Sequence, residues 1–518
     1  MDILYSKGGL KKGFSTGTVS AGAIKSSIRY YFTGEKFETV SVNMPGGESV
    51  NIDVAELSCR FLKNGIKIST AVIQKFSGDD IDVTGGIKIY ADFMIIGKKV
   101  HKNLNIQNNN KGTGRYEYDN DFNNDSDKII IEDSENDLKD YFDGFYHDKL
   151  TFYDKIANTG AADFFFSSAE GIGIVTKQGL PVRIGCPAIN PVPKEMIRKN
   201  ALNELNDLTA LYRLNETNNN NKSLNINANG NINANINVNG NINPNRTANG
   251  NINANINVNA NANINVNANA NDSNDVLQTV NFFLSVLYIP DGKEISQKTL
   301  NSRLGINGGL SILGTTGYVI PISAKAWLDT IKSSLNFLSE NNIDLCVFTP
   351  GRFSEKCAMK IFMELSEEYF IEIGDFVSYS VRKAADFGIK NIILAGQFGK
   401  IIKISQGERN TNAKYSRLNL NYIGEIIKNI DYMNMQNAGQ DAHYEDDFND
   451  IYRKVINSNT SREAFSYIDS IKNENVKNGI INEILYNAKN NIEKINNNKV
   501  KCKVILLSYS GEKIFETK

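Results

Sequence analysis

The run of residues 301–321 holds five glycines among apolar residues, at positions 305, 308, 309, 314 and 317. Interior glycine is avoided in strands and helices because it has much backbone freedom to lose. So many glycines together predict backbone that turns sharply or approaches another group closely. Within the run, Gly314, Thr315, Thr316 and Gly317 could present amide N–H groups and two hydroxyls to an anion. The alternative is a pair of tight connections at a domain junction.

Composition narrows the function classes. The 518 residues carry a formal net charge of −1, which argues against the basic surface typical of nonspecific nucleic-acid binding. The five cysteines are scattered and form no close pair, which indicates reduced thiols in a cytoplasmic protein. The first residues lack the apolar core of a signal peptide, and no window reaches ~18 uninterrupted apolar residues, so we expect no transmembrane helix.

The three histidines lie in or beside polar segments and show no ligand spacing with cysteine. A metal site built from protein ligands is therefore not expected, and acid–base catalysis by histidine has little support.

Two polar tracts interrupt the chain, at about residues 103–154 and 215–275. The first is rich in Asn and Asp, and in the second nearly every other residue is Asn. Neither can bury enough apolar surface to offset the entropy of ordering, so both are predicted to be disordered insertions. A stacked β-repeat is the alternative for the second tract, because its alternation matches the period of a strand.

The remaining sequence divides into two parts, predicted as domains at residues 1–310 and 311–518. In the first, a polar turn containing Ser15, Thr16 and Thr18 precedes a helix at 19–31 and can cap it. Alternating segments predict strands at 39–44, 50–57, 65–72, 86–94 and 280–288. We therefore predict an α+β domain with a mixed or antiparallel sheet.

The second part alternates between strand and helix. A helix capped by Ser323 is followed by a strand at 345–348, helices at 355–369 and 376–387, and a strand at 391–394. A helical region at about 416–497 and a closing strand at 500–507 complete it. This alternation of strand and helix indicates an open parallel sheet. Such sheets bind ligands beyond the carboxyl ends of their strands, here near residues 349–351 and 396–400.

Three segments carry candidate chemistry. Asp79, Asp80 and Asp82 lie in one turn, which is either an acidic surface turn or a site that binds a cation, orients a substrate or removes a proton. Lys177, Arg183, Lys194 and Arg198 lie beside glycine turns and suit a ligand with several carboxylates; the alternative is a set of solvated cations flanking a hairpin. Gly396 and Gly399 follow a predicted parallel strand and lead to Lys400 and Lys403, where nucleotide-like ligands often bind.

Together these segments resemble the cobalt-precorrin-5B C(1)-methyltransferases of anaerobic cobalamin biosynthesis. The resemblance lies in residues 12–18, 78–84, 171–191, 301–317 and 399–403, in this order, and it spans nearly all of the chain outside the two polar tracts. It implies transfer of a methyl group from S-adenosylmethionine to ring carbon 1 of a cobalt-bearing tetrapyrrole, giving cobalt-precorrin-6A. It also implies an α+β domain followed by a Rossmann-like domain. The cobalt belongs to the substrate, so no protein-bound metal, nucleic acid or membrane partner is implied.

The resemblance suggests roles for individual residues. Asp79 and Asp80 are the catalytic candidates, for proton removal or for orienting the sulfonium group. The candidates for binding substrate or methyl donor are Ser15, Thr16, Thr18, Lys177, Arg183, Asn190, Arg303, Gly314, Thr315, Thr316, Gly396, Gly399, Lys400 and Lys403. Among them Lys177, Arg183, Arg303 and Lys400 would hold the peripheral carboxylates of the macrocycle.

The chain also departs from the family pattern. The family commonly has His where this chain has Gly85, Gln397 and Asn412, and these three residues cannot titrate. A diverged tetrapyrrole-binding protein without methyl transfer is therefore the alternative hypothesis. An unrelated Rossmann-like enzyme is a third, for which the sequence offers little.

Overall fold

The structure is a computed structural model that describes residues 4–6, 8–101, 154–158, 163–217, 225–226, 232–233, 277–321, 323–437 and 442–517. The two predicted insertions lie almost entirely outside these residues. The chain divides into two compact units. Unit 1 comprises Met1–Val175, Ile184–Ser302 and Ile306–Pro321, and unit 2 comprises Thr176–Arg183, Arg303–Gly305 and Ile322–Lys518.

The helices of unit 1 are α1 (Thr16–Thr33), α2 (Pro191–Thr217) and α3 (Gly292–Ser296). Its strands are β1 (Gly13–Phe14), β2 (Thr39–Asn43), β3 (Ser49–Asp53), β4 (Glu56–Phe61), β5 (Lys67–Gln74), β6 (Lys88–His101), β7 (Asp154–Asn158), β8 (Asp163–Ser168), β9 (Gly171–Ile172), β10 (Ile174–Val175), β11 (Asn225–Ile226), β12 (Ile232–Asn233), β13 (Leu277–Tyr288), β14 (Ile306–Asn307), β15 (Gly309–Leu310) and β16 (Tyr318–Val319).

A six-stranded mixed sheet forms the centre of unit 1. Its strand order is β4-β5-β6-β13-β8-β7, with every pair antiparallel except β13 and β8. Apolar residues of α1 and α2 share one buried core with this sheet and with the β2–β3 hairpin. The mixed sheet predicted for the first part of the sequence is confirmed.

Local chemistry explains the limits of α1. The Ser15 hydroxyl accepts a hydrogen bond from the Thr18 N–H at the amino end, and Gly34 ends the helix in the left-handed conformation with φ 67°. The single strand predicted at 50–57 is instead two strands, β3 and β4. Between them the N–H groups of Val54 and Ala55 bond to the carbonyls of Glu38 and Val72, so the chain leaves the hairpin and joins the central sheet there.

The helices of unit 2 are α4 (Ala324–Glu340), α5 (Arg352–Ile361), α6 (Val377–Asp386), α7 (Phe398–Ser405), α8 (Leu420–Asn437), α9 (Ala442–Ile456), α10 (Ser461–Asp469) and α11 (Glu474–Lys494). Its strands are β17 (Leu345–Thr349), β18 (Phe370–Glu372), β19 (Asn391–Gln397), β20 (Lys501–Leu507) and β21 (Lys513–Glu516).

Unit 2 is built on a five-stranded sheet of order β18-β17-β19-β20-β21. The first four strands are parallel and β21 is antiparallel to β20. One core lies on the face covered by α4, α6, α7 and the later helices, and α5 packs on the other face against β17, β18, β19 and β20. From β17 the chain adds β18 on one side and then β19 on the other side of β17. The carboxyl ends of β17 and β19 therefore flank a topological switch point.

The structure corrects two sequence predictions in this part. The helix predicted at 355–369 is α5, which ends at Ile361, where Phe362 leaves helical geometry with φ −112° and ψ 61°. A 3₁₀ turn at Glu367–Tyr369 and the short strand β18 follow it. The compact units also divide the chain elsewhere than at 310/311, because β16 pairs with β1 and thereby holds residues after 310 in unit 1.

Among the described residues, every helix is too short or too polar to cross a bilayer.

Candidate functional site

Unit 1 brings the polar turn before α1 against the glycine-rich run. The Thr18 hydroxyl donates to the Gly317 carbonyl at 2.6 Å, and the Leu313 N–H donates to the Thr16 hydroxyl at 2.7 Å. The N–H groups of Ser15 and Gly17 bond to the carbonyls of Gly317 and Leu313. All three predicted hydroxyl residues are buried. The hydroxyls of Thr16 and Thr18 hold the turn to the glycine-rich run, whereas the Ser15 hydroxyl caps α1 through Thr18.

The loop itself shows why glycine is needed there. Gly314 has φ 129°, and a Cβ at this position would lie 2.2 Å from the Ser15 hydroxyl. Thr315 and Thr316 next to it are exposed, and the Thr316 hydroxyl lies within hydrogen-bond distance of the Tyr318 N–H. Their use as an anion site stays a prediction. Asn190, also predicted, stands immediately before α2, and its N–H donates to the Ile312 carbonyl at 3.1 Å.

The acidic turn has two different parts. Asp79 is exposed, and its carboxylate accepts the Lys11 N–H at 2.7 Å, while Asp80 is half-buried. Asp82 instead accepts from the ammonium of Lys75, whose side chain is 1% exposed, at 2.5 Å. Burial alone would raise the pKa of Asp82, but the charge and hydrogen bond of Lys75 and the hydrogen bonds of Thr84 outweigh it and lower that pKa. Asp82 is thus held ionised by a buried ammonium.

Lys177, Arg183 and Arg303 belong to unit 2. The Lys177 ammonium lies 2.9 Å from the Glu368 carboxylate, with the Lys177 side chain 46% exposed, and Arg183 is exposed. Arg303 is largely buried, with its guanidinium 2.6 Å from the Glu355 carboxylate. Because Glu355 occupies Arg303, that arginine is a weaker candidate for a substrate carboxylate than the two exposed cations.

The predicted carboxyl edge of the unit 2 sheet does form. Pro350 and Gly351 follow β17, and a Cβ at Gly396 near the end of β19 would lie 3.3 Å from the Pro350 ring. Among the described residues, no atom outside the neighbouring positions lies within 4 Å of a Cβ placed on Gly351, so the turn borders open space there. Thr349 is fully buried, and its hydroxyl has no hydrogen-bond partner in the part of the chain that the structure describes. This unpaired polar atom at the switch point suggests a ligand site.

Three carboxylates lie along this edge. Glu355, 1% exposed, accepts from Arg303 and from Arg352, the latter at 2.5 Å. Glu372 ends β18, and its pKa is raised by burial and by the negative charge of Glu355, against the smaller effects of Arg352 and Arg303.

Asp375, the third carboxylate, contacts the Lys400 ammonium and accepts from Thr411 at 2.7 Å and from Asn412 at 2.9 Å. Burial would raise the pKa of Asp375, but these three partners lower it. Lys400 is therefore paired within its own unit. Lys403 donates to the carbonyls of Thr411 and Ser416, and burial followed by the charge of Lys400 lowers its pKa.

The remaining predicted residues are glycines. Gly399 lies in the first turn of α7, where a Cβ would meet the Ser461 hydroxyl at 2.6 Å. A ligand site at this edge is predicted from the sequence, but the side chains of Glu355 and Glu372 are not. The signal for Glu372 was the distance of about twenty residues from the Gly351 turn to an acid at the end of the next strand. The helix predicted at 355–369 left no room for that strand.

The described part of the chain holds no group of three or more His, Cys, Asp or Glu side chains that could bind a metal ion. Asn412, where the family commonly has His, takes part in the Asp375 network as a hydrogen-bond donor.

Comparison with known proteins gives the family. The sequence profile named CbiD matches residues 4–119, 122–215 and 246–321. A cobalt-precorrin-5B C(1)-methyltransferase of Picrophilus torridus is 26% identical over 97% of this chain and 98% of its own length. The protein of the same name from Methanocaldococcus jannaschii is 25% identical, with coverage of 97% and 95%.

A crystal structure described as a cobalamin biosynthesis protein (CbiD) from Archaeoglobus fulgidus covers 79% of this chain and 84% of its own. Its sequence identity to this chain is 19% and the TM-score is 0.28. The profile match extends over more than half of the residues and includes the segments at 12–18, 78–84, 171–191 and 301–317. The chain therefore belongs to the CbiD family.

Proposed function

We propose that this chain transfers a methyl group from S-adenosylmethionine to ring carbon 1 of cobalt-precorrin-5B, giving cobalt-precorrin-6A in anaerobic cobalamin biosynthesis. One observation carries the proposal: relatives named for this activity align with this chain over nearly the whole of both sequences. The tetrapyrrole and its cobalt are substrate, and no protein-bound metal takes part. A cytoplasmic location belongs to the same proposal, in keeping with five free cysteines.

The proposal assigns the methyl donor to unit 2, as a Rossmann-like domain. The residues at the switch point fit such a ligand, because the Gly351 turn borders open space and the buried Thr349 hydroxyl lacks a partner among the described residues. S-adenosylmethionine, when bound, supplies a methyl group already activated by its sulfonium. The protein's part is then to hold the two reactants in line and to exclude water.

Peripheral carboxylates of the substrate call for cations. Lys177 suits this role because its side chain is 46% exposed in the ion pair with Glu368. Ion pairs open to solvent contribute only about 0–1 kcal/mol, so Lys177 can exchange Glu368 for a substrate carboxylate at little cost in free energy. Arg183, exposed in the same segment, is its companion. Asp79 and Asp80 stay candidates for proton removal or for orienting the sulfonium.

The test is direct. Purified protein is incubated with cobalt-precorrin-5B and methyl-labelled S-adenosylmethionine, and label is followed into the tetrapyrrole by mass spectrometry. Transfer supports the proposal. Binding of the tetrapyrrole without transfer would instead support a diverged binding protein, the hypothesis that Gly85, Gln397 and Asn412 suggest.

A further inference from the structure

The segment from β17 to β18 has the form of a nucleotide-binding unit. A parallel strand ends at Thr349, a glycine turn at Gly351 leads into α5, and a second parallel strand ends at Glu372, about twenty residues further on. In units of this form the glycine turn lets the ligand approach the backbone, and the acid at the end of the second strand accepts a ribose hydroxyl. The order β18-β17-β19 puts this unit at the switch point of the sheet.

The register of the sheet places Glu372 beside the unpaired hydroxyl. Thr349 and Glu372 are direct partners in the β17–β18 ladder, so their side chains share one face. Two residues earlier in each strand, Val347 and Phe370 occupy that same face, in the core that α5 covers. Thr349 and Glu372 therefore lie together at the carboxyl end of this face, where α5 begins.

Glu372 has capacity for hydrogen bonds from a ligand, because a carboxylate offers about four lone-pair sites. Burial raises its pKa most, and the nearby backbone N–H of Arg352 at the start of α5 acts in the opposite direction. Its neighbour Glu355 is already bound by two arginines, Arg303 and Arg352. Of the two acids, Glu372 is thus the one that can accept a pair of ligand hydroxyls.

We propose that the Glu372 carboxylate binds the ribose hydroxyls of the methyl donor, with the donor seated in the open space at Gly351 above the buried Thr349 hydroxyl. The assignment rests on the proposed function for the identity of the donor. It makes Glu372 a donor-binding residue, and the geometry of the strand–turn–helix–strand unit carries it.

The chain provides its own optical probe. Its one tryptophan, Trp327, donates from the indole N–H to the Glu372 carbonyl at 3.2 Å and packs against Gly374. Binding at Glu372 should therefore change the fluorescence of Trp327. We would titrate the full chain with S-adenosylhomocysteine and with its 2′-deoxyribose counterpart, and determine each Kd by fluorescence and by calorimetry.

The decisive variant is Glu372→Gln, with Glu364→Gln as the matched control. Glu364 is an exposed residue in the connection before β18, away from its carboxyl end. We expect wild-type protein and the control to prefer the ribose ligand at least tenfold. Glu372→Gln should weaken binding of S-adenosylhomocysteine at least tenfold and bring both ligands to similar Kd values. A merely structural role would not remove the preference for the 2′-hydroxyl.

Two further variants test the proposed binding position at Gly351 and Thr349. Gly351→Leu fills the open space; with φ −177° and no atom within 4 Å of a Cβ, leucine fits without strain, so binding should be lost while the fold persists. Its control is Gly8→Leu, on an exposed turn with room for a side chain. Thr349→Val should weaken S-adenosylhomocysteine several-fold, whereas Thr330→Val on the exposed surface of α4 should not.

The outcomes separate this inference from the proposed function. If Glu372→Gln kept the ribose preference, or Gly351→Leu still bound S-adenosylhomocysteine, the donor site would be elsewhere even if wild-type protein transferred methyl groups. If wild-type protein bound no S-adenosylhomocysteine, the site would also be refuted. Glu372-dependent binding without methyl transfer to cobalt-precorrin-5B would establish the site and reject the proposed reaction.

Discussion

Two adjacent glycines of the glycine-rich run should respond to alanine for different reasons and to different degrees. Gly308 is exposed and has φ 84°, with nothing within 4 Å of a Cβ. Gly309 is buried and lies outside the left-handed region, but a Cβ there would lie 2.3 Å from the carbonyl carbon and oxygen of Gly171 on the paired strand. A side chain at 308 is therefore disfavoured by the backbone conformation, and a side chain at 309 by lack of space.

The magnitudes follow from these contacts. Gly308→Ala places one non-glycine residue in the left-handed region, which costs about 1–2 kcal/mol. Gly309→Ala must push β15 from β9 by roughly 1 Å to restore normal van der Waals separation. That shift disturbs the hydrogen bonds from Asn301 to the Gly309 carbonyl at 3.0 Å and from the Gly173 N–H to the Leu310 carbonyl at 2.8 Å. Breaking these buried bonds costs about 3–5 kcal/mol in total.

Urea denaturation followed by circular dichroism measures both variants, with asparagine as the control substitution. Asparagine tolerates the left-handed region, so Gly308→Asn should recover most of the loss, whereas Gly309→Asn should be at least as unstable as Gly309→Ala. A Gly309→Ala protein as stable as Gly308→Ala would show that the close β9–β15 contact does not limit the side chain at 309.

Three further predictions concern charged groups. Asp82→Asn leaves the buried Lys75 ammonium without its carboxylate and should lower the free energy of unfolding by about 3–5 kcal/mol at pH 7. Because the pKa of Asp82 is lowered, this stabilisation is present above the unfolded-state pKa and is lost as pH falls below about 4, so urea midpoints of wild type and variant should converge there. Arg303→Ala leaves Glu355 with one arginine and should lower the free energy of unfolding of unit 2 by about 3 kcal/mol. Tryptophan fluorescence in urea measures this change, and a value below about 1 kcal/mol would contradict a buried ion pair. The raised pKa of Glu372 means that its ionisation disfavours the folded state, so Glu372→Gln should match wild type at about pH 4 and exceed its stability at pH 7; the opposite order would show that the ionised form is favoured.

The parallel sheet of unit 2 was predictable because its central strands are short apolar runs between amphipathic helices. The predicted strands at 345–348, 391–394 and 500–507 correspond to β17, β19 and β20, and the predicted Ser323 cap is confirmed by its hydrogen bond from the Ala326 N–H. Strand β18 was not predictable in the same way. It has three residues, and its pairing with β17 rather than its own pattern makes it a strand.

The same limit explains which parts of the site the sequence could predict. Glycines report on their own backbone, so the turns at 305, 308, 314 and 317 could be inferred locally, and all four have positive φ. Charged side chains carry no such information, because whether they are available depends on partners distant in sequence. The sequence predicts that Arg303 and Lys400 bind substrate carboxylates, but in the structure they pair with Glu355 and Asp375.

The pairing of these cations changes what the carboxyl edge of unit 2 can bind. Arg303 and Arg352 share Glu355, Arg303 also lies 3.5 Å from the Glu367 carboxylate, and Lys400 pairs with Asp375, so these three cations face three carboxylates within the unit. Glu372 adds a carboxylate at this edge. An edge with this balance attracts a polyanionic macrocycle poorly but suits a ligand that brings hydroxyl donors and a positive sulfonium. This balance supports the proposed donor site at the ends of β17 and β18, and Lys177 and Arg183 stay the candidates proposed for substrate carboxylates.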